Sequence, residues 1–489
     1  MSVDIEEKLD IECLNISSDA ESEIVIKKAA TLIDELYNFR DKYYEGKEIN
    51  DSTSNQKVVD VKEKLLETLV SLDLFQWNRN EKANYYLFVG KALNVVAEYD
   101  PKCQENLSKS IKLNPKLSEA WYQLGECHWK NNDIDGAYNC FKSALEYQSD
   151  KHILRAMSMV LRQLPTSSVE ERKLRFTESI NKAKDALKID INDGKSWAIL
   201  GSAYLNSFLG NPFNPKSMSR ALSAYQKAIK DPIANTDPDL HYNYGIALQY
   251  ESDFNQCLTQ WNFASRLDPT WRFPRESISK TIIFIDELIL LTRNRGKMKE
   301  KRFRQLISML NDKKNREKDL GPYTNEGAHL DMKIKTVQFS DLKEGLNSDC
   351  VVLGKVICGL VQGDQLAYSI IIADQNAQLM TVRIFNLGQG KGPIIGDSIA
   401  IPEPYVEKIF VSSDIIVECS QELNRNKSIF KFDYSISGNL IENGINQLVI
   451  RVSIPSVLVV NGRKINNKWT ALPVVQNLYF TENWLSSMN

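Results

Sequence analysis

The sequence lacks the residue patterns that catalysis and metal binding require. It has only four histidines in 489 residues, and none of them lies in a recognisable catalytic motif. It contains no phosphate-binding loop and no Gly-x-Gly-x-x-Gly motif after a predicted strand. The eight cysteines form no Cys-x-x-Cys pair, which argues against a zinc site or a disulfide framework. We therefore expect a protein that is not an enzyme and that uses no cofactor and no metal.

Long apolar runs and a strong net charge are also missing. No run reaches the roughly 18 apolar residues that would span a bilayer, so we expect no membrane contact. The acidic N-terminus lacks the apolar core of a signal peptide. The formal net charge of -2 gives no global indication of nucleic-acid binding. These features predict a protein of the cytoplasm and the nucleus.

What the sequence does have is a repeated pattern. In residues 118–151, Trp121, Leu124, Gly125 and Ala137 occupy the positions typical of a tetratricopeptide repeat, a helix–turn–helix unit of about 34 residues. Gly125 and Ala137 are small, so the two helices of the unit can approach closely. A unit of this kind leaves an apolar face open and must stack on neighbouring units. One good repeat therefore predicts more.

Neighbouring copies of the pattern are present, and we count about five repeats. The segment 152–191 is the most degenerate copy. We predict N-terminal helices from Ser22 and from Val58, and a final helix that caps the repeats near residue 290. Together these form a helical solenoid over residues 21–292, with strong repeats at about 84–117, 118–151, 194–233 and 238–271.

The C-terminal part changes from helical to alternating periodicity. Short β-branched runs separated by turn residues predict an OB-fold-like β-barrel over residues 332–468. The predicted fold class is thus α+β and multidomain: an all-α tetratricopeptide-repeat solenoid followed by this barrel. The stretch from Ser412 to Gln447 is predicted as an enlarged loop with extra strands. The remaining segments are a disordered N-terminus at 1–20, a basic segment and linker at 293–331, and a C-terminal tail at 469–489.

Several motifs in both parts of the chain resemble one family, the tetratricopeptide repeat protein 5 or Strap family. The resemblance runs in order from about Asp34 to Lys464, and it leaves out the N-terminus, the stretch 412–447 and the tail. A generic repeat protein would not share the barrel motifs. The motifs are GKALNV (90–95), YQLGECHWKNND (122–133), MVLRQL (159–164), ALSAY (221–225), DPDLH (237–241), LGKV (353–356), GDSIAIPEP (396–404) and LVVNGR (458–463).

The resemblance implies a function that periodicity cannot show. The family is known for recognising the N-terminal Met-Arg-Glu of nascent α- and β-tubulin at the ribosome and for promoting decay of tubulin mRNA. The implied partners are those tubulin N-termini, the ribosome through its RNA, and mRNA decay adaptor proteins. The alternative is a nuclear co-factor that scaffolds a histone acetyltransferase complex and transcription factors in the stress and DNA-damage responses.

The resemblance also implies peptide-binding residues. The family's groove residues correspond to Lys109, Arg162 and Asp239. A peptide that reads Met-Arg-Glu needs an acid for its arginine and bases for its glutamate. Taken by sequence alone, Lys109 is an ordinary helix lysine and Asp239 an ordinary acid in the first turn of a helix. The family has an acidic residue where this chain has Phe273, which weakens or relocates the acidic side of the groove.

A second site is predicted in the basic run of residues 293–304. The family's ribosome-contacting lysines correspond to Lys299 and Lys301, and lysines on a flexible segment suit phosphate contacts. The alternative interpretation is a solvated linker. A third hypothesis is single-strand binding by the barrel through Tyr368, Phe385 and Tyr405. The strands carry few basic residues, so we expect the barrel to contact proteins or to pack on the solenoid.

Overall fold

The computed structural model describes residues 18–210, 215–324, 334–360, 366–388, 390–425, 438–466 and 469–470. They form two compact units. The first unit contains residues 18–48 and 55–164, and the second contains residues 49–54 and those from 165 onward. The predicted disordered segment 1–20 and the tail 469–489 lie almost wholly outside the described residues.

The described chain is helical from Ser18 to Arg293, as the apolar spacing predicts. None of its helices combines the length and apolar content needed to cross a bilayer. Two helices, α7 and α8, form even in the degenerate segment 152–191. The helices are α1 (Ser18–Asp41), α2 (Asp51–Asp73), α3 (Lys82–Leu93), α4 (Pro101–Leu113), α5 (Ser118–Lys130), α6 (Ile134–Tyr147), α7 (Lys151–Gln163), α8 (Val169–Ile189), α9 (Gly194–Gly210), α10 (Pro215–Ala228), α11 (Pro238–Tyr250), α12 (Phe254–Leu267) and α13 (Arg272–Arg293).

Glycine sets the distance between the two helices of a repeat. A methyl group on Gly125 would lie 2.5 Å from the ring of Phe141 in the partner helix, and one on Gly245 would lie 2.3 Å from Nε1 of Trp261. Non-bonded atoms do not approach so closely, so any larger residue would force the helices apart. Gly90 and Gly201 meet Leu107 and Tyr225 in the same way. The predicted role of the small residues is confirmed.

The C-terminal domain is a single ten-stranded sheet. Its order is β10-β9-β6-β3-β4-β5-β8-β7-β2, with β1 beside β3. The described strands leave β10 and β2 as edges, so the predicted OB-fold-like barrel is only loosely barrel-shaped. The strands are β1 (Lys335–Val337), β2 (Gly345–Leu346), β3 (Cys350–Gly359), β4 (Ala367–Ala373), β5 (Leu379–Phe385), β6 (Ser398–Pro402), β7 (Tyr405–Val411), β8 (Ile445–Val452), β9 (Val459–Val460) and β10 (Arg463–Lys464).

Two segments differ from the sequence-based prediction. The basic segment contains α14 (Glu300–Asn311) and α15 (Lys313–Leu320) where a flexible linker was expected. Phe303, Leu306 and Leu310 are buried along one face of α14 and pack on the barrel. Three apolar residues at helical spacing are enough to fold this segment, although lysine and arginine dominate its composition.

The expected loop with extra strands after Ser412 is largely helical. It contains α16 (Ser413–Arg425) and α17 (Gly438–Asn443), and residues 426–437 lie outside the described chain. Ile416, Cys419 and Leu423 recur every three or four residues and are fully buried in the core that α16 shares with α12. Strand β8 then begins at Ile445, inside the expected loop.

In the second unit the repeats and the barrel share one apolar core, so packing of the barrel on the solenoid is confirmed. A charged network, here called the repeat–barrel seam, crosses this contact. Arg383 has no exposed surface and donates to Glu407 at 3.1 Å, and Arg451 donates to the other oxygen of Glu407 at 3.2 Å. Arg451 also donates to the carbonyl of Tyr250 at 2.7 Å. Ser252, the seam's fifth member, donates to Glu407.

Candidate functional site

The first helices of the repeats in the first unit carry a polar cluster, here called the α5 cluster. Its members come from α3, α5 and α7 and the turn after α3: Lys91, Asn94, Glu119, Tyr122, Gln123, Glu126, Lys130, His152 and Arg155. Lys91 forms an ion pair with Glu119 at 3.0 Å, and Gln123 donates to the same carboxylate at 3.0 Å. Asn94 donates to the side chain of Gln123 at 2.8 Å. These bonds tie α3 and α5 together through their side chains.

Lys130 is the most constrained cation of the cluster. Its ammonium donates to the carbonyl of Asn94 at 2.7 Å, to the side-chain oxygen of Asn94 at 2.6 Å and to the carbonyl of Val96 at 2.6 Å. An ammonium has three protons, so all its donors are used. Burial lowers the pKa of Lys130 to about 8, against the attraction of Glu126. Lys130 therefore links two neighbouring repeats and has no proton left for a ligand.

Arg155 and His152 form the side of the cluster that lies on α7. Arg155 is 9% exposed and donates to Nδ1 of His152 at 2.7 Å. Burial, and then the charge of Arg155, lower the pKa of His152 below its ordinary value. A histidine that accepts from an arginine is neutral, so this side of the cluster carries one positive charge.

Glu126 and Tyr122 differ from their neighbours. Both lie half-buried on α5, four residues apart and therefore on one face. No other described residue forms a hydrogen bond or an ion pair with the Glu126 carboxylate or the Tyr122 hydroxyl. Burial raises the pKa of Glu126, although Lys130, Arg155 and Arg40 oppose the rise. The cluster therefore contains one acid whose acceptor oxygens are not used by the part of the chain that the structure describes.

The sequence did not single out the α5 cluster. Its residues are of types that are common on the polar faces of helices. Only the fold brings α1, α3, α5 and α7 side by side. A signal was available in the repeat period. Lys91 and Glu126 each follow the repeat glycine, Gly90 or Gly125, by one residue, so the period places them at equivalent positions of adjacent first helices.

Lys109 lies on α4, the second helix of its repeat. It pairs with Glu105 at 2.7 Å and is 46% exposed, with its ammonium 5.5 Å from the ring centre of Tyr86. The hydrogen bond from Lys109 lowers the pKa of Glu105. These are the surroundings of an ordinary surface lysine, and Lys109 is not a member of the α5 cluster.

Arg162 lies in the last turn of α7 and is half-buried. Its guanidinium donates to the carbonyl of Ser158 at 3.1 Å and to the Ser158 hydroxyl at 3.2 Å. Both bonds are made by Nη1, one turn back along the same helix. A guanidinium carries five N–H donors in a planar fork, which suits Arg162 to a bidentate contact with a carboxylate.

Asp239 lies in the first turn of α11, in the second unit. Asp237 caps this helix by accepting from the backbone N–H of Asp239 at 3.0 Å, and Pro238 occupies the first helical position. The next turn carries Asn243, which is 7% exposed and whose side-chain oxygen has no hydrogen-bond partner among the described residues. Asp239 is half-buried, so its carboxylate can interact with the helix N-terminus as well as with a ligand.

Phe273 stands where the resemblance implies an acidic residue in the family. It is half-buried on α13 and packs against the core of the second unit. Glu276 follows one turn later on α13 and forms ion pairs with Arg272 and Lys280. Its neighbour Ser277 lies 3.4 Å from the hydroxyl of Tyr242 on α11. An acid is thus present on this helix, although it already has two cationic partners.

Lys299 and Lys301 lie at the start of α14, and both are exposed. Glu300, the acid between them, pairs with Arg295 at 2.7 Å and with Arg304 at 2.8 Å. Neither lysine has an ion-pair partner among the described residues. Because α14 packs on the barrel, the two ammonium groups project from a folded surface and not from a flexible linker.

The barrel aromatics do not form a stacking platform for bases. Phe385 is fully buried and packs on Tyr250 of the repeats, with ring centres 4.9 Å apart. Tyr368 is half-buried and donates its hydroxyl to the carbonyl of Pro393 at 2.8 Å. Of the three predicted residues, only Tyr405 is exposed. The structure therefore disfavours single-strand binding through these side chains.

Comparison with known proteins identifies both parts of the chain. Residues 333–473 match the model of the tetratricopeptide repeat protein 5 OB fold domain, and residues 118–151 match a tetratricopeptide repeat model. A Schizosaccharomyces pombe protein, general transcriptional corepressor ssn6, is 29% identical over 181 residues, which are 35% of this chain and 14% of that protein. A solved tetratricopeptide repeat protein of Thermus thermophilus is 18% identical with a TM-score of 0.33, covering 40% of this chain and 96% of its own.

Two relatives match over almost their whole length. Tetratricopeptide repeat protein 5 of Homo sapiens is 35% identical over 455 residues, which cover 91% of this chain and 95% of the relative. The Mus musculus protein of the same name is 34% identical over 464 residues, 94% of this chain and 97% of the relative. This chain, with its repeats, its barrel and nearly its full length in common with them, belongs to the tetratricopeptide repeat protein 5 family of protein-interaction adaptors.

Proposed function

We propose that the protein recognises the N-terminal Met-Arg-Glu of nascent α- and β-tubulin at the ribosome and, with mRNA decay adaptor proteins as partners, triggers the decay of tubulin mRNA. Family membership supports this proposal. The observation that carries it is that Arg162 on α7 and Asp239 on α11 are both half-buried charges on first helices of repeats. A peptide with one arginine and one glutamate offers a partner of opposite charge to each of them.

The ribosome contact is proposed for Lys299 and Lys301. Both ammonium groups are exposed, and the only acid in their run is paired with two arginines. Such lysines can contact RNA phosphates and release the counterions bound there. This role places the protein in the cytoplasm.

A second candidate is a nuclear transcription scaffold that binds a histone acetyltransferase complex through the same repeats. The similarity to a transcriptional corepressor over 181 residues supports it. That similarity covers a small part of the corepressor, so we rank this candidate second. Of the two candidate functions, only the transcription scaffold implies a nuclear localisation.

Calorimetry with the full-length chain and a Met-Arg-Glu-Ile peptide tests the first candidate. Arg162→Ala should weaken binding by about 1.5–3 kcal/mol, because it removes hydrogen bonds to a charge. Asp239→Lys should weaken it by several kcal/mol, since it places like charges together, and a peptide with Glu in place of Arg should recover part of the loss.

Arg79→Ala is the matched control, because Arg79 is an exposed arginine of the first unit outside the α5 cluster. It should leave peptide affinity unchanged. Equal binding of a scrambled peptide to the unchanged protein would contradict the proposed function.

A further inference from the structure

The α5 cluster contains a carboxylate, that of Glu126, whose oxygens accept no hydrogen bond from the described residues. Lys130 uses all three of its protons on Asn94 and Val96. Lys91 is held by Glu119 at 3.0 Å. Against these, the two oxygens of Glu126 receive no hydrogen bond from the described residues. A ligand that binds to these two oxygens must therefore supply hydrogen-bond donors.

The remaining cations near Glu126, Arg40 and Arg155, also donate to other acceptors. Arg40 on α1 pairs with Asp41 at 2.7 Å and donates to the carbonyl of Val95 at 3.3 Å. Arg155 on α7 donates to His152. Within the described chain each cation is directed to another acceptor, so none forms an ion pair with Glu126. An ionised carboxylate is an acceptor only, and its strongest partners are charged N–H donors.

Tyr122 supports the same ligand chemistry. Its ring is fixed between Phe141, with ring centres 6.0 Å apart, and His152, at 6.4 Å. Its hydroxyl has no described hydrogen-bond partner, and it lies one turn from Glu126 on the same face of α5. The hydroxyl can accept a second hydrogen bond from a donor that is bound to Glu126.

We propose that Glu126, assisted by Tyr122, binds a cationic nitrogen of the docked peptide, either its α-ammonium or the guanidinium of its arginine. This inference rests on the proposed function and adds a carboxylate of the first unit to the residues proposed to bind the peptide. Placing an ionised acid in a half-buried site without a direct partner costs stability, and the ligand's charge offsets that cost. Glu126 is thus a specificity-determining residue and not a structural one.

Peptide titrations by calorimetry with Glu126→Gln test the proposal. The substitution keeps the shape of the side chain and removes its charge, so affinity for Met-Arg-Glu-Ile should fall at least about tenfold, the effect of one charged hydrogen bond. Tyr122→Phe should reduce affinity by a smaller factor. The matched control is Glu146→Gln, which makes the same change at an exposed site on α6 and should leave affinity unchanged.

Two modified peptides distinguish the sources of the charge. N-terminal acetylation removes the α-ammonium, and Arg→Gln removes the guanidinium. One of the two modified peptides lacks the group that binds Glu126. That peptide should bind the unchanged protein more weakly than the native peptide does, whereas Glu126→Gln should bind the modified and the native peptide with nearly equal affinity. If both modifications weaken both proteins equally, or if Glu126→Gln binds as the unchanged protein does, the proposal is wrong.

The remaining outcomes separate this inference from the proposed function. If the unchanged protein binds scrambled and native peptides equally, while Glu126→Gln weakens both, the binding point stands and the tubulin function fails. If no peptide binds, both are overturned. A clear fall in the thermal midpoint of Glu126→Gln would show that the carboxylate is structural, which also overturns the inference.

Discussion

The repeat–barrel seam and the α5 cluster both contain buried or half-buried charged side chains, yet they use them differently. In the seam, Glu407 binds Arg383, Arg451 and Ser252, so its carboxylate is surrounded by partners. In the α5 cluster, Glu126 has cations nearby but no direct partner among the described residues. A buried acid with several partners holds two parts of a fold together, whereas an acid without one is available to a ligand.

Their surroundings explain the difference. The guanidinium of Arg383 lies 5.0 Å from the ring centres of both Phe254 and Phe385, in the core shared by the repeats and the barrel. A ligand has no access there, so the network has to be satisfied internally. Glu126 and Tyr122 are only half-buried, so water or a ligand can reach them.

The largest loss of stability is expected at Glu407. Glu407→Ala leaves Arg383 and Arg451 without their shared carboxylate, and removing one member of a buried ion pair costs about 3–5 kcal/mol. We expect the free energy of unfolding, measured with urea, to fall by that amount. Lys408→Ala on the same strand removes an exposed charge and should have almost no effect. Equal stability of Glu407→Ala and Lys408→Ala would show that the seam does not hold the barrel on the repeats.

Substitution of Glu126 should instead raise the free energy of unfolding. The ordinary pKa of this carboxyl is 4.5, and burial raises it in the folded protein. The folded state therefore holds this proton more tightly than the unfolded chain, and stability is lost as the pH rises above about 4.5. Glu126→Gln removes that loss and should stabilise the protein by roughly 0.5–1 kcal/mol at pH 7.

Near pH 4 the gain should disappear, because the carboxyl of the unchanged protein is then largely protonated. Urea unfolding of both proteins between pH 4 and 8 measures the difference. Glu146→Gln, at an exposed site, should show no such pH dependence. A gain that is constant with pH would mean that the charge of Glu126 is not its cause.

The smallest effect on stability is expected at Lys299 and Lys301. Both are exposed, so changing them to Glu together should alter the free energy of unfolding by less than about 0.5 kcal/mol. Co-sedimentation with ribosomes should nevertheless be lost, and that of the unchanged protein should fall steeply with salt. The control is Lys335→Glu with Lys343→Glu, two exposed lysines of the barrel domain. Undiminished co-sedimentation of the Lys299 and Lys301 variant would show that these two lysines do not contact the ribosome.

The sequence alone was sufficient for the features that repeat or alternate. The repeat period predicted the helices, and Gly125 and Gly245 predicted close approach, since only glycine fits opposite Phe141 and Trp261. Alternating β-branched runs predicted the barrel. These patterns are local, because each depends on residues a few positions apart and on the period of its own element.

Short helices in biased or polar segments were missed for the same reason. In α14 the buried stripe is Phe303, Leu306 and Leu310, and the basic and polar residues around it conceal the pattern. In α16 the buried stripe is Ile416, Cys419 and Leu423, in a stretch that was expected to be a loop. Both helices are stabilised by packing on the barrel or on α12, which no window of sequence contains.

By itself, then, the sequence determined the fold class, the repeats and the family resemblance from which Lys109, Arg162, Asp239, Lys299 and Lys301 were selected. Only the tertiary structure decided how individual charges are used. It placed Lys109 beside Glu105 on a second helix, enclosed Glu407 between two arginines, and left Glu126 without a direct partner in the described chain. Secondary structure follows from neighbours in the chain, whereas the environment of a charge is set by residues that folding brings together from distant helices and strands.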